Sequence, residues 1–182
     1  APQQPELAGT NGEWPDRLYQ GSTVALDHRS GRLVWWAQHH SDMWNDDAVY
    51  DRILVNARVD PDPPNALGIN PSIDAEETRE LVVGSFSKDA IFYVYDRTDG
   101  TFLYARPTAY QNIIAGYEGT TGAYIIEPDA VMTADIDHEA TICRENRQIP
   151  QGAYSPLTNA YYVPAFNGPC SVMKLDSSDP SI

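Results

Sequence analysis

Short apolar runs separated by polar turns run through the chain, with alternation in place of helical spacing. Val24-Ala25-Leu26 ends on Asp27, and His28-Arg29-Ser30 leads to Gly31 before a second apolar run reaches Trp35. Tyr93-Val94-Tyr95 ends on Asp96, and Arg97-Thr98-Asp99 leads to Gly100 and a run to Tyr104. Asp precedes Gly by four residues in both. Val172-Met173-Lys174-Leu175-Asp176 opens the same phrase a third time. The pattern predicts β-hairpins. In each, the strand-end Asp accepts backbone N–H groups of its own turn, and Gly supplies a positive φ. The aromatic beyond the turn is expected to pack on a neighbouring sheet. Recurrence of the phrase predicts a repeated sheet module.

The rest of the chain agrees with an all-β class. Residues 1–20 and 60–80 are polar, Pro-rich and loop-like, and 106–152 read as irregular with a turn at Gly119–Gly122. Residues 153–164 alternate about the turn Ser155–Asn159 and predict another hairpin. Helical spacing occurs only at 74–81, a stretch that reads equally as the exposed lead-in to a strand over Leu81–Val83. Nothing marks an internal domain boundary, so residues 1–182 read as a single segment. The repeated Asp residues stand 69 and 80 residues apart. A propeller blade needs only about 40–45 residues, so the modules carry long insertions. A closed propeller takes roughly four to eight blades. This chain supplies about two to three, which predicts missing chain or a partner covering the open sheet edges. A first residue Ala1, with no signal-peptide pattern, fits a processed or excised chain.

A net charge of −14 and a pI near 4.4 exclude a phosphate-binding basic stripe and disfavour anionic membranes. The acidity suits a periplasmic or secreted protein, or one from a salty habitat. No apolar run approaches transmembrane length. Cys143 and Cys170 lack zinc-type spacing and are either one disulfide or two separate buried thiols. Only two lysines occur, Lys88 and Lys174.

The densest chemistry lies in His39-His40-Ser41-Asp42-Met43-Trp44-Asn45-Asp46-Asp47. Clustered carboxylates with an amide oxygen suit a hard cation such as calcium, and a carboxylate beside a cation can act as a base. The same composition also describes an acidic surface loop. Adjacent His39 and His40 cannot both face one metal from a regular strand, so they read as solvated or structural. Lys88 reads either as a ligand-binding cation or as a surface lysine balancing Asp89. Asn11-Gly12-Glu13-Trp14 offers oxygen ligands on a loop. No phosphate loop, nucleophile elbow or His-Glu-x-x-His motif occurs.

Several of these stretches fall in one order over residues 8–176. They are Val24–Asp27 through Gly31 and Trp35, then Asp42-Met43-Trp44-Asn45, then Phe92–Gly100. Asn112 with Thr121-Gly122 and Pro128 follows, and then Asp137-His138 with Ile142-Cys143. In this the chain resembles the middle third of the quinoprotein alcohol dehydrogenases, the family of methanol dehydrogenase. The resemblance implies part of a propeller of about eight blades holding pyrroloquinoline quinone (PQQ) and a calcium or lanthanide ion on its axis. The implied activity is oxidation of an alcohol at C5 of the quinone, the metal polarising the quinone as a Lewis acid. The implied partners are a small-molecule alcohol, an electron acceptor such as a cytochrome, and the remaining blades or another subunit.

Carried over by position, Lys88 matches the family's quinone-contacting Lys or Arg. Trp44 belongs to the motif beside the quinone, and Asn11 matches a metal-ligand Asn. Asn45 stands at the family's catalytic base, and Asp47 stands where lanthanide-using members add a carboxylate. Asn11, Asn45 and Asp47 are therefore the implied metal ligands, and Asn45, Asp46 and Asp47 the candidate catalytic residues. The family's His-Asn quinone contact is missing, and Gln151 lies nearest its place. Cys170 falls where the partner of the first cysteine lies, which implies the disulfide. A neutral amide at Asn45 cannot take a proton. The alternative implied is a propeller-type binding or structural protein without the chemistry. A third reading is an acidic calcium-binding module.

Overall fold

In a computed structural model the chain is described at residues 19, 21–40, 47–131, 139–144, 151–166 and 168–174. The first predicted hairpin is β1 (Ser22–Leu26) paired with β2 (Leu33–Gln38). The next strands are β3 (Ile53–Arg58), β4 (Gly68–Ile69), β5 (Thr78–Gly84), β6 (Ile91–Asp96) and β7 (Phe102–Pro107). They form one antiparallel sheet in the order β3-β5-β6-β7-β4, with the second predicted hairpin, β6–β7, inside it. Three further pairs follow: β8 (Ile114–Tyr117) with β9 (Tyr124–Ile126), β10 (Glu139–Ile142) with β13 (Ser171–Lys174), and β11 (Ala153–Ser155) with β12 (Ala160–Tyr162). Residues 78–84 are strand, so the helical reading of 74–81 fails; an Asp74 turn leads into the start of β5, where Thr78 and Glu80 are exposed.

The turns carry the predicted chemistry. Asp27 Oδ1 accepts from the Arg29 and Ser30 N–H groups at 3.2 and 2.8 Å, and Gly31, at φ +68°, donates to the Asp27 carbonyl at 2.8 Å. Asp96 Oδ1 accepts from the Thr98 N–H at 2.9 Å, and Gly100, at φ +79°, donates to the Asp96 carbonyl at 2.9 Å. A further full copy of this turn stands at Glu118–Gly122. Glu118 accepts from the Thr120 and Thr121 N–H groups at 3.1 and 2.6 Å, and Gly122 donates to the Glu118 carbonyl at 2.8 Å. Val172, Met173 and Lys174 lie in β13 and pair with β10, while Leu175 and Asp176 lie outside the described residues.

Successive sheets lock together through these glycines. A methyl group at Gly100 would stand 2.7 Å from Trp35 Cε3, and one at Gly122 would stand 2.6 Å from Phe102 Cβ. Trp35 is buried, and its Nε1 donates to the Arg97 carbonyl at 2.8 Å. The predicted packing of an aromatic on the neighbouring sheet is therefore present for Trp35. Tyr104 instead turns to the other face, against Phe92 at 5.9 Å between ring centroids.

Strand β6 explains the core. Ile91, Tyr93 and Tyr95 point into one cluster with Trp35, Phe86, Phe102, Ile114 and Tyr117. Phe92 and Val94 point into a second cluster with Val55, Leu81, Val83 and Leu103. A strand buried on both faces sits in the middle of a sheet, as alternation of side chains requires. Cys143 and Cys170 form a disulfide that ties the end of β10 to the approach to β13. Among the described residues, no helix is long and apolar enough to cross a membrane.

Candidate functional site

Lys88 lies in the turn between β5 and β6, and Asp47 lies in the chain leading to β3. The structure brings them together. Lys88 Nζ donates to Asp47 Oδ2, with Lys88 13% exposed and Asp47 44% exposed. The reading of Lys88 as a surface lysine balancing Asp89 therefore fails, because Asp89 is 1% exposed and turned inward. Two non-glycine residues here adopt positive φ, Asp47 at +35° and the fully buried Ala90 at +61°. Such backbone persists only where surroundings over-determine it, and it clusters at functional sites.

Gln151 reaches the same segment four residues further on, its Oε1 accepting from the Asp51 N–H at 3.2 Å. Asn11, Trp44, Asn45 and Asp46 lie outside the described residues, as does Asp42. Of the sequence-predicted site, then, the structure joins Asp47 to Lys88 and brings Gln151 to the Asp47–Asp51 stretch.

Beneath Lys88 lies a buried polar network that composition alone did not single out. Asp89 accepts from the Ile91 N–H at 2.9 Å and from the Tyr93 hydroxyl at 2.5 Å, and His40 Nε2 lies 3.3 Å from its Oδ2. Tyr93 and Tyr117 hydroxyls are 2.9 Å apart, and Tyr117 also donates to the His39 carbonyl at 3.2 Å. His39 and His40 are both fully buried, so the solvated alternative is excluded and the structural one holds.

Arg52 Nε donates to Thr23 Oγ1 at 3.2 Å, and that hydroxyl lies 2.9 Å from His39 Nε2. His39 Nδ1 lies 3.1 Å from the Tyr95 hydroxyl. Burial first, then the Arg52 charge, hold His39 well below the ordinary histidine range, so it is neutral. Burial works to raise Asp89. The hydrogen bond and charge of His40, with the Tyr93 and Ser87 hydrogen bonds, outweigh it and keep the carboxyl below its ordinary value. Burial, then the Asp89 charge, push Tyr93 and Tyr117 well above the tyrosine range. The only outward hint in the sequence was the scarcity of lysine, which pointed to Lys88 but not to what lies under it.

What this arrangement can do is limited and definite. A largely buried ammonium, fixed by a half-exposed carboxylate, presents its remaining protons to an oxygen-rich anionic ligand, and the carboxylate can ligate a cation. Among the described residues no group of three or more His, Cys, Asp or Glu side chains gathers as a metal cage. A cleft of about 630 Å³ opens on the opposite face of the large sheet, near Arg58, Phe92, Arg106 and Tyr161. It includes neither Asp47 nor Lys88.

No protein-family model matches the chain. It is 28% identical over 153 residues to the dehydrogenase subunit of the quinone alcohol dehydrogenase of Gluconobacter oxydans (strain 621H), covering 82% of this chain and 18% of that protein. It is 28% identical over 155 residues to 1-butanol dehydrogenase (cytochrome c) of Thauera butanivorans, covering 85% of this chain and 20% of that protein. The chain thus spans about a fifth of the length of the curated relatives it matches. In fold it is similar to quinohemoprotein alcohol dehydrogenase ADHIIG of Pseudomonas putida HK5, with a TM-score of 0.64 and 24% identity over 82% of this chain and 20% of that one. It is equally similar to a europium-containing methanol dehydrogenase, with a TM-score of 0.64 and 20% identity over 81% of this chain and 23% of that one. In sequence the chain is thus similar to one segment of the quinone alcohol dehydrogenase subunits, and in fold, with its repeated turn and glycine-docked aromatics, to part of the propeller of the solved alcohol and methanol dehydrogenases.

Proposed function

We propose that the chain is part of a PQQ-dependent alcohol dehydrogenase and forms one wall of its quinone and metal site. The observation that carries this reading is the Lys88–Asp47 pair: one of only two lysines, largely buried, meets the carboxylate that ends the His39–Asp47 stretch. The donor set fits the group. Lys88 would hold quinone oxygens, and Asp47 would ligate calcium or a lanthanide together with Asn11 and Asn45. Trp44 and Gln151 would complete the quinone contacts from the same loop and from beside Asp51. When bound, PQQ with its metal ion supplies the two-electron acceptor for the alcohol.

The chain's own residues bind, orient and hold protons. Lys88 donates N–H groups from a site largely shielded from water, where charge-assisted hydrogen bonds gain strength. Asn45 would offer its amide oxygen to the metal but could not take the alcohol proton, which would leave Asp46 or Asp47 for that task. Similarity to the Thauera butanol dehydrogenase, which is named for cytochrome c, supports a cytochrome-type electron acceptor. The disulfide and the acidic composition support a periplasmic or secreted location.

Asn45 also favours a second reading, a propeller that keeps the blades without the chemistry. Titrating the intact protein with PQQ, in calcium or a lanthanide, and following absorbance separates the two. Saturable binding with dye reduction on adding an alcohol is expected, and Lys88→Gln is expected to weaken binding about 10- to 100-fold, the worth of a charged hydrogen bond. No binding under either metal would overturn the proposal in favour of the second reading.

A further inference from the structure

We infer that the buried Asp89–His40 pair is a positioning pair that fixes Lys88 against Asp47. The inference rests on the quinone-site reading only for the purpose the positioning serves. The positioning itself is a property of the protein without cofactor.

Lys88 is flanked in sequence by two buried residues, Ser87 and Asp89, at 0% and 1% exposure. Its backbone cannot swing without moving both. Asp89 is held on one side by the Ile91 N–H and the Tyr93 hydroxyl, and on the other by His40 Nε2. The same His40 nitrogen lies 3.4 Å from Ser87 Oγ, and that oxygen accepts from the Asp89 N–H at 3.4 Å. One imidazole thus bridges both neighbours of Lys88. Ala90, in the left-handed region, closes the turn, and its carbonyl accepts from the Thr108 N–H at 2.7 Å.

The opposing segment is tied to the same turn on either side of Asp47. His40 precedes it, and the Tyr50 N–H donates to the Phe86 carbonyl at 3.2 Å after it. Asp47 and Lys88 therefore meet between two fixed crossings. A carboxylate buried this deeply is costly unless fully partnered, and an apolar side chain would fill the space at lower cost. Its partners here include His40, itself only 1% exposed. Removing the Asp89 charge takes away the ion pair with His40, leaving the imidazole its weaker contact with Ser87, while the shape of the side chain is nearly unchanged.

The test uses the intact protein without cofactor first. Acetic anhydride labelling, quantified by mass spectrometry, reads the rate at Lys88 against that at Lys174, which is half-exposed. Asp89→Asn and His40→Gln are each expected to raise the Lys88 rate severalfold while Lys174 stays constant. Ser87→Ala is the milder variant if either of these fails to fold. In PQQ titrations the folded variants are expected to lose about 10- to 100-fold in affinity, as outer-shell partners do in metal sites. Added to Lys88→Gln, Asp89→Asn is expected to cost no more than Lys88→Gln alone, because both act through one ammonium. An unchanged Lys88 labelling rate in a folded variant overturns the inference. If the unmodified protein takes up no PQQ, the quinone-site reading falls, and the labelling rates still decide whether the pair positions Lys88.

Discussion

Gly31 and Gly100 occupy the same place in two copies of one turn, and a methyl group added to each separates backbone cost from packing cost. Both have positive φ, +68° and +79°, so Gly→Ala places a Cβ in the left-handed region at either site, costing about 1–2 kcal/mol. At Gly31 nothing lies within 4 Å of the new methyl. At Gly100 it would stand 2.7, 2.8 and 3.0 Å from Trp35 Cε3, Cδ2 and Cγ. Trp35 cannot retreat easily: it is 5% exposed and anchored through Nε1 to the Arg97 carbonyl. Overpacking of this kind adds about 1–3 kcal/mol. Gly31→Ala is therefore expected to cost about 1–2 kcal/mol and Gly100→Ala about 2–5 kcal/mol. Urea denaturation of the intact protein, followed by tryptophan fluorescence, measures both. Equal losses would refute the argument that Gly100 is required by the tryptophan of the preceding hairpin as well as by its own turn.

Two further outcomes follow from the same geometry. The Glu118 carboxyl titrates at about 2, below its ordinary 4.5, held down first by the Thr120 N–H and then by the Thr121 hydroxyl and N–H. With the folded value depressed, its contribution is complete above about 4.5 and is lost as pH falls toward about 2. Urea midpoints of Glu118→Gln and the unmodified protein should therefore differ at pH 6 and converge, within roughly the error of the method, on acidification through that window. A difference that stays constant with pH would contradict it. Replacing Cys143 and Cys170 by Ser opens a loop with a sequence separation of 27, which is expected to cost about 3–4 kcal/mol. A denaturation midpoint indifferent to reductant would mean the bond closes nothing that unfolding opens.

The fold was legible where local chemistry sets it. Asp27–Gly31 and Asp96–Gly100 carry their turns in a few residues, and the structure returns both with the expected hydrogen bonds. The further copy was missed because Glu118 replaces Asp; the spacing to Gly122 is the same, and the longer side chain still reaches the Thr120 and Thr121 N–H groups. The strand of the C-terminal phrase pairs with β10, its Ser171 opposite Ile142 and its Lys174 opposite Glu139, which the local pattern did not foretell. Pairing at that range leaves no local mark.

The candidate site divides along the same line. Lys88 stood out because lysine is rare, a signal of composition. His40 reads as solvated or structural and Asp89 as a surface charge, because polar residues read as exposed unless their partners are known, and those partners come from the segment after β2, the β5–β6 turn and β6. A carboxylate and an imidazole become tolerable inside a protein only together. Each therefore reads as surface alone, and the sequence keeps them 49 positions apart. What the fold adds is this juxtaposition. It turns two residues that look solvent-facing into the support beneath the lysine that does reach toward the site.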